Sequence, residues 1–234
     1  MIDALTHLDF PSFDRDRAGI VARARASGVT GWVIAGTDPA AWARTLAVAR
    51  ETGGFPALGV HPWWAPRVDL DTAIADLEAR RPQAIGEIGL DRLKPGWERQ
   101  QKAFRAQLAV ARGLNCPVIL HVVRAWADVR AILRRDGLPA AGGMVHGWTG
   151  PPAAVPEAEA LGLMVSFGRG LLRPGRSLES SPRVSLDRLL VETDGEPAGL
   201  VAVVRALAVR RGVEVGEIER VTAANALRLF ACRG

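Results

Sequence analysis

The chain has 234 residues, 48% of them hydrophobic and 24% charged, which is enough for a single domain over 1–234 with a substantial core. No basic stretch followed by an apolar run opens it, and no apolar stretch is long enough to span a bilayer. A soluble, cytoplasmic, monomeric protein without membrane contact is therefore expected. Two cysteines, Cys116 and Cys232, are too few for a disulfide framework.

The formal net charge is +5, and all but two of the 30 basic residues are arginine. Arginine suits bidentate contact with phosphate. A codon-biased, Arg- and Ala-rich genome accounts for the same count. The basic residues are scattered, so the surplus permits a polyanionic partner without demanding one.

Along the chain, short apolar and β-branched runs alternate with amphipathic segments. Eight runs are predicted as strands: "MIDAL", "GWVIAG", "PALGV", "AIGEIGL", "PVILHVV", "GMVHG", "LMVSFG" and "LLVET". Helical patterns fall between them, roughly over 14–27, 40–52, 70–80, 98–114, 125–136, 152–161 and 198–211, with a last one near 214–231. The segment between the seventh and eighth strands is broken by Pro174 and Pro182 and carries little helical signal. This alternation predicts a parallel sheet, and eight units in a chain of this length predict a compact (β/α)8 barrel.

The polar residues inside these runs are not scattered. His7, His61, His121 and His146 end the first, third, fifth and sixth predicted strands. Glu87 lies in the fourth, between Gly86 and Gly89, and Glu192 and Asp194 end the eighth. In a barrel that end of the strands is the rim on which active sites are built. A lone histidine there is more often a hydrogen-bonded rim residue than a ligand. A strand glutamate is harder to dismiss, because a buried carboxylate is costly unless paired or metal-bound. Together the imidazoles and carboxylates predict a site for one or two divalent cations, with Zn, Mn, Fe or Mg compatible with the donors. Such a site serves phosphodiester displacement or the hydrolysis of an amide or ester.

The same segments resemble the TatD family of metal-dependent deoxyribonucleases, within the amidohydrolase-like barrel superfamily. "IDALTHLDF" is similar to its D-x-H-x-H-L-D opening, "ALGVHPWW" to G-x-H-P-H, and "AIGEIGLD" to G-E-I-G-L-D. "GGMVHGWTG" is similar to V-H-x-F-S-G, "LLVETD" to L-x-E-T-D, and "VTAANALRLF" to the closing T-x-x-N-x-x-x-L-F. "WERQQKAFRAQLAVARGLNCPVILHVVRA" corresponds to the helix and strand that lead to a ligand histidine.

The resemblance implies hydrolysis of DNA phosphodiester bonds, typically exonucleolytic, with Mg, Mn or Zn. Glu87 would bridge two ions, His121 and His146 would complete one site, and His7 with Asp194 would contribute to the other. Asp194 would double as general base. His61 would contact phosphate or substrate, and Glu192 would orient its neighbours. Trp63, Trp64, Trp97 and Trp148 fall in predicted loops after strands. There they either stack on unpaired bases, at about 1–3 kcal/mol per base, or cover the rim. Trp63 and Trp148 are counted as substrate-contact candidates, and Arg92, Arg124 and Arg169, predicted on the same rim, as phosphate contacts.

Three features depart from the family pattern. Leu5 stands where the first histidine of H-x-H belongs, and strand alternation points it into the same barrel mouth as His7. The His7/Asp194 site is therefore expected to bind more weakly than the Glu87/His121/His146 site. The segment after Asp194, "GEPAGLVAVV", is shorter than the family's usual loop. Trp148 and Trp63 replace a phenylalanine and a histidine. These departures suit two alternatives as well: a one-metal hydrolase of a small amide, ester or lactone, and a degenerate, non-catalytic binding protein.

Overall fold

The computed structural model describes residues 1–231; Cys232 lies outside them. Eight parallel strands pair in sequence order: β1 (Ile2–Thr6), β2 (Gly31–Gly36), β3 (Phe55–Leu58), β4 (Ala84–Asp91), β5 (Val118–Val123), β6 (Gly143–Val145), β7 (Leu163–Phe167) and β8 (Leu189–Val191). The ring closes where Thr6 bridges Gly195 and the Asp194 N–H donates to the Leu5 carbonyl at 3.0 Å. Nine helices surround it among the described residues: α1 (Arg17–Ala26), α2 (Trp42–Thr52), α3 (Leu70–Arg80), α4 (Trp97–Leu114), α5 (Trp126–Asp136), α6 (Val155–Ala160), α7 (Arg176–Ser180), α8 (Leu200–Arg211) and α9 (Val215–Phe230). The (β/α)8 expectation is met. None of these helices is long and apolar enough to cross a membrane.

Two apolar layers follow from strand alternation. Inside the barrel, Leu5, Val33, Ala35, Ala57, Ile119, Met144, Met164 and Leu190 fill the lumen, and Ala226, Leu229 and Phe230 of α9 close its floor. Outside, Trp32, Trp42, Leu77, Phe104, Leu108 and Leu207 pack helices against the sheet. Burying each such large side chain contributes about 1.5–3 kcal/mol. The packed lumen leaves the C-terminal rim as the place where polar groups can gather.

Some strands end earlier than the apolar runs suggest. The run "PALGV" leaves the ladder after Leu58 because the buried Gln107 side chain takes over both backbone groups of Val60: its Oε1 accepts the Val60 N–H at 2.6 Å and its Nε2 donates to the Val60 carbonyl at 3.1 Å. The His61 N–H then donates to the Thr37 carbonyl at 3.0 Å, fixing the turn that carries the histidine. After β7 only the five-residue α7 and short 3-10 turns appear, in keeping with the Pro-broken sequence. A 3-10 turn at Pro197–Gly199 runs directly into α8, so little chain follows Asp194 before the last helices.

Candidate metal centre

His7 follows β1, His61 follows β3, Glu87 lies within β4, His121 within β5, His146 follows β6, and Asp194 follows β8. All six line one cavity of about 290 Å³, together with Phe10, Thr37 and Trp63. A larger hollow of about 740 Å³ between α4 and α5 contains none of the histidines.

Glu87 is the centre of the group. Its Oε1 is 3.1 Å from His7 Nε2. Its Oε2 is 2.7 Å from His146 Nε2, 3.5 Å from His121 Nδ1 and 3.9 Å from His61 Nε2. His7 Nε2 is also 3.2 Å from Asp194 Oδ1, and His121 Nδ1 is 3.0 Å from His146 Nε2. Two overlapping donor sets share Glu87: His7, Glu87 and Asp194 on one side, and Glu87, His121 and His61 on the other, with His146 in contact with the second. His61 thus stands closer to the ligand group than its expected place beside the site.

Backbone partners orient the rings. His7 Nδ1 lies 3.1 Å from the Ala35 carbonyl. With the proton on Nδ1, Nε2 is free to face Glu87 and Asp194. His61 Nδ1 accepts the Trp63 N–H at 3.2 Å, which leaves the proton of the neutral ring on Nε2. Asp194 has a left-handed backbone, φ 54°, unusual for a residue other than glycine, and its side chain is half exposed. It is the accessible carboxylate of the set.

Burial and neighbouring charge act on these groups in opposite directions. Burial pulls His7 down, but hydrogen bonds to Asp194 and Glu87 outweigh it and raise it to about 10. Burial alone dominates at His61 and lowers it to about 3. At Glu87 burial pushes up, yet the charge of His146 and hydrogen bonds from His121, His146 and His7 hold the carboxyl well below its ordinary range. The buried anion therefore draws His7, His121 and His146 toward the protonated form, while His61 stays neutral.

The donor set fits a divalent ion. A mixed set of imidazole nitrogen and carboxylate oxygen suits Zn, Fe or Mn. His121 Nε2 and His146 Nδ1 are buried without a hydrogen-bond partner. Glu192 Oε1 lies 3.4 Å from His146 Nδ1, a charge contact outside hydrogen-bond geometry. It lies on the side of the His146 ring away from Glu87.

Other predicted site residues divide. Trp63 is 49% exposed, lines the cavity, and meets His61 edge-on with ring centres 5.0 Å apart. Trp148 is only 2% exposed, packed edge-on against Trp126 at 5.2 Å, so it presents no open face to the metal-centre cavity. It is an outer-layer core residue, sealed by α5 and by the close approach of Gly150. Arg92 is absent from the cavity as well: it forms a two-pronged ion pair with Asp128 and lies over Trp97 at 4.2 Å. Arg124 lines a neighbouring cleft. Arg169 lines a niche of about 250 Å³ with Glu192, Thr193 and Asp194.

Sequence reasoning gave no role to Asp91 or Phe10. Asp91, the last residue of β4, is buried; its Oδ2 accepts the Trp63 indole N–H at 2.7 Å and lies 3.5 Å from His121 Nε2. Its pull toward high pKa from burial is overcome by His121 and Trp63, which hold it at about 2. The signal was its position on the fourth strand, four residues after Glu87. Phe10 stacks on His7 with ring centres 4.4 Å apart and planes 11° from parallel. It had no pattern to mark it.

The model of the TatD related DNase family matches residues 2–231. A relative from Erwinia tasmaniensis named 3'-5' ssDNA/RNA exonuclease TatD is 34% identical, over 98% of this chain and 99% of its own. A relative from Bacillus subtilis named uncharacterized metal-dependent hydrolase YabD is 30% identical, over 98% of both chains. The crystal structure of YjjV, a TatD homolog from Escherichia coli, superposes with a TM-score of 0.94 at 28% identity, covering 100% of this chain and 98% of that one. By sequence, fold and the residues gathered at its rim, the chain belongs to the TatD related DNase family.

Proposed function

We propose that the chain is a metal-dependent nuclease that shortens single-stranded DNA from an end. The observation that carries this reading is the division of Glu87: one oxygen faces His7 and the other faces His146, His121 and His61. His7, Glu87 and Asp194 would hold one divalent ion, and Glu87, His121 and His146 a second. Bound there, the ions supply positive charge for the phosphoryl oxygens of a displacement reaction.

The protein's own groups do the rest. Asp194, accessible and fixed through its N–H to Leu5, takes the proton of the attacking water at its carboxylate. His61, neutral and with its proton on Nε2, donates to a non-bridging phosphate oxygen. Trp63 supplies an exposed ring beside that phosphate for the terminal base. Glu192 and Asp91 hold His146 and His121 in orientation from behind. The relative from Erwinia tasmaniensis carries single-stranded DNA and RNA in its name, which supports an unpaired end as substrate.

The test is direct. Protein stripped with a chelator and reloaded with Mn or Mg is incubated with single-stranded DNA labelled at either end. Progressive shortening in the reloaded sample alone is expected, and the labelled end that disappears first gives the polarity. Equal shortening after stripping without reloading would contradict the reading.

Leu5 favours a second reading. With one imidazole missing, a one-ion site acting on a small ester or lactone becomes the competing assignment. Phenyl acetate and simple lactones assayed beside DNA separate the two.

A further inference from the structure

A cleft of about 720 Å³ lies next to the metal centre, between the β5–α5 and β6–α6 connections. Val122, which lines it, follows His121, and Val145, which also lines it, precedes His146. The cleft is therefore attached to the metal centre through adjacent residues of two strands. Its size is that of a small-ligand site, and nothing in the reaction as described uses it.

Its chemistry is specific. Trp126 forms part of the wall and is immobilised: its Nε1–H donates to Glu157 Oε2 at 3.2 Å, Glu157 is held in turn by Arg130, and the ring meets Trp148 edge-on. A fixed, partly exposed indole is a stacking surface whose ordering is complete before binding. Arg124 and Arg176 are the charged residues lining the cleft, and no carboxylate lines it. Both are exposed and make no hydrogen bond or ion pair with any described residue, unlike Arg92 and Arg130 nearby. The N-cap of α5, Ala125, offers no side-chain oxygen to the first-turn N–H groups, and Ala125, Trp126 and Ala127 all line the cleft. The Asp128 N–H is taken by the Ala125 carbonyl at 3.1 Å, which leaves the N–H groups of Trp126 and Ala127 for an anionic oxygen.

We propose that this cleft is a second nucleotide subsite, in which an unpaired base of the DNA strand stacks on Trp126 while Arg124 and Arg176 hold the phosphates on either side of it. A flat aromatic wall, two unneutralised guanidinium groups and attachment to the phosphodiester-cleaving centre suit one nucleotide of a single strand. A paired base cannot enter, so the cleft selects an unpaired end. The proposal rests on the DNA-end reading above and adds to it a position along the strand at which the base matters.

The experiment uses a set of end-labelled single-stranded oligonucleotides, each carrying one abasic residue at a successive position from the end, with the Mn-loaded protein. For the wild type, one position beyond the terminal nucleotide should raise KM by about tenfold or more when its base is removed, as expected from base–aromatic stacking. Trp126→Ala should abolish that position effect, with all substrates sharing the raised KM, and Trp126→Phe should retain part of it. Arg124→Gln combined with Arg176→Gln should raise KM for every oligonucleotide and flatten its salt dependence, since two phosphate contacts are lost. This double variant changes exposed residues and tests the cleft even if Trp126→Ala fails to fold. Cleavage with no sensitive position in the wild type, the same position effect in Trp126→Ala, or unaltered KM and salt dependence in the double variant would overturn the subsite alone. No cleavage of any oligonucleotide would overturn the DNA-end reading with it.

Discussion

The carbonyl of Leu5 accepts the N–H of Asp194 at 3.0 Å. The residue that cannot coordinate an ion thus fixes the backbone of the accessible carboxylate opposite His7. Its side chain lies fully buried in the barrel lumen, below the rim. Position 5 thus serves the site through its backbone, while its side chain offers no donor.

Leu5→His is accordingly expected to strengthen ion binding at the His7/Asp194 group. An imidazole placed among Val33, Ala35 and Ile119 without a partner costs about 1–3 kcal/mol, so the metal-free variant should melt below the wild type. Metal content after gel filtration should rise in the variant, and an unchanged content would contradict the prediction.

Asp91→Asn keeps the shape of the side chain and removes its charge. It should loosen His121 and the Trp63 ring together, because one carboxylate oxygen serves both. Loss of a carboxylate behind a ligand histidine typically costs about 10–100-fold in metal affinity. Titration with Zn against a competing chelator measures it, and Trp63 fluorescence should change in parallel.

Much of this arrangement was legible in the sequence, and the residues show why the rest was not. The four histidines sat at the ends of apolar, β-branched runs, and strand direction alone carries such residues to one rim. Glu87 stood out because a carboxylate inside a buried strand needs a partner. Arg92 was misplaced because its partner, Asp128, lies on α5 while Arg92 itself is in the turn after β4, and no local pattern reports a contact across 36 residues of sequence. Trp148 follows His146 closely in sequence, yet packing against Trp126 turns it into the core. Gln107 lies within a helical pattern, and its role in ending β3 exists only in the folded chain.

That role gives a stability prediction. Gln107→Ala leaves the N–H and carbonyl of Val60 without their buried partners and opens a cavity, at about 2–4 kcal/mol. Thermal melting should show the loss. Because Val60 precedes His61, KM for DNA should rise as well; a fully stable variant would contradict the account of how the His61 turn is held.

His7 contributes to the pH dependence of the metal-free protein beside His121 and His146, which shift in the same direction. Its folded-state value is raised from 6.5 to about 10 because hydrogen bonds to Asp194 and Glu87 exceed the effect of burial. A raised value means a contribution that is complete below about 6.5 and lost as pH rises through about 10. Melting in the presence of a chelator should weaken across that window. His7→Gln should flatten the decline, and an identical slope in the variant would contradict it.

The central claim is that one buried carboxylate, Glu87, ties both donor sets into a centre that cleaves DNA. Its most direct test is the rate at which Glu87→Gln shortens end-labelled single-stranded DNA at saturating Mn, set beside the wild type with both proteins shown to be folded by melting. The account predicts a loss of at least about a hundredfold, since the variant removes the shared anion and the charge stabilisation it organises. A Glu87→Gln protein that cuts as fast as the wild type would contradict it.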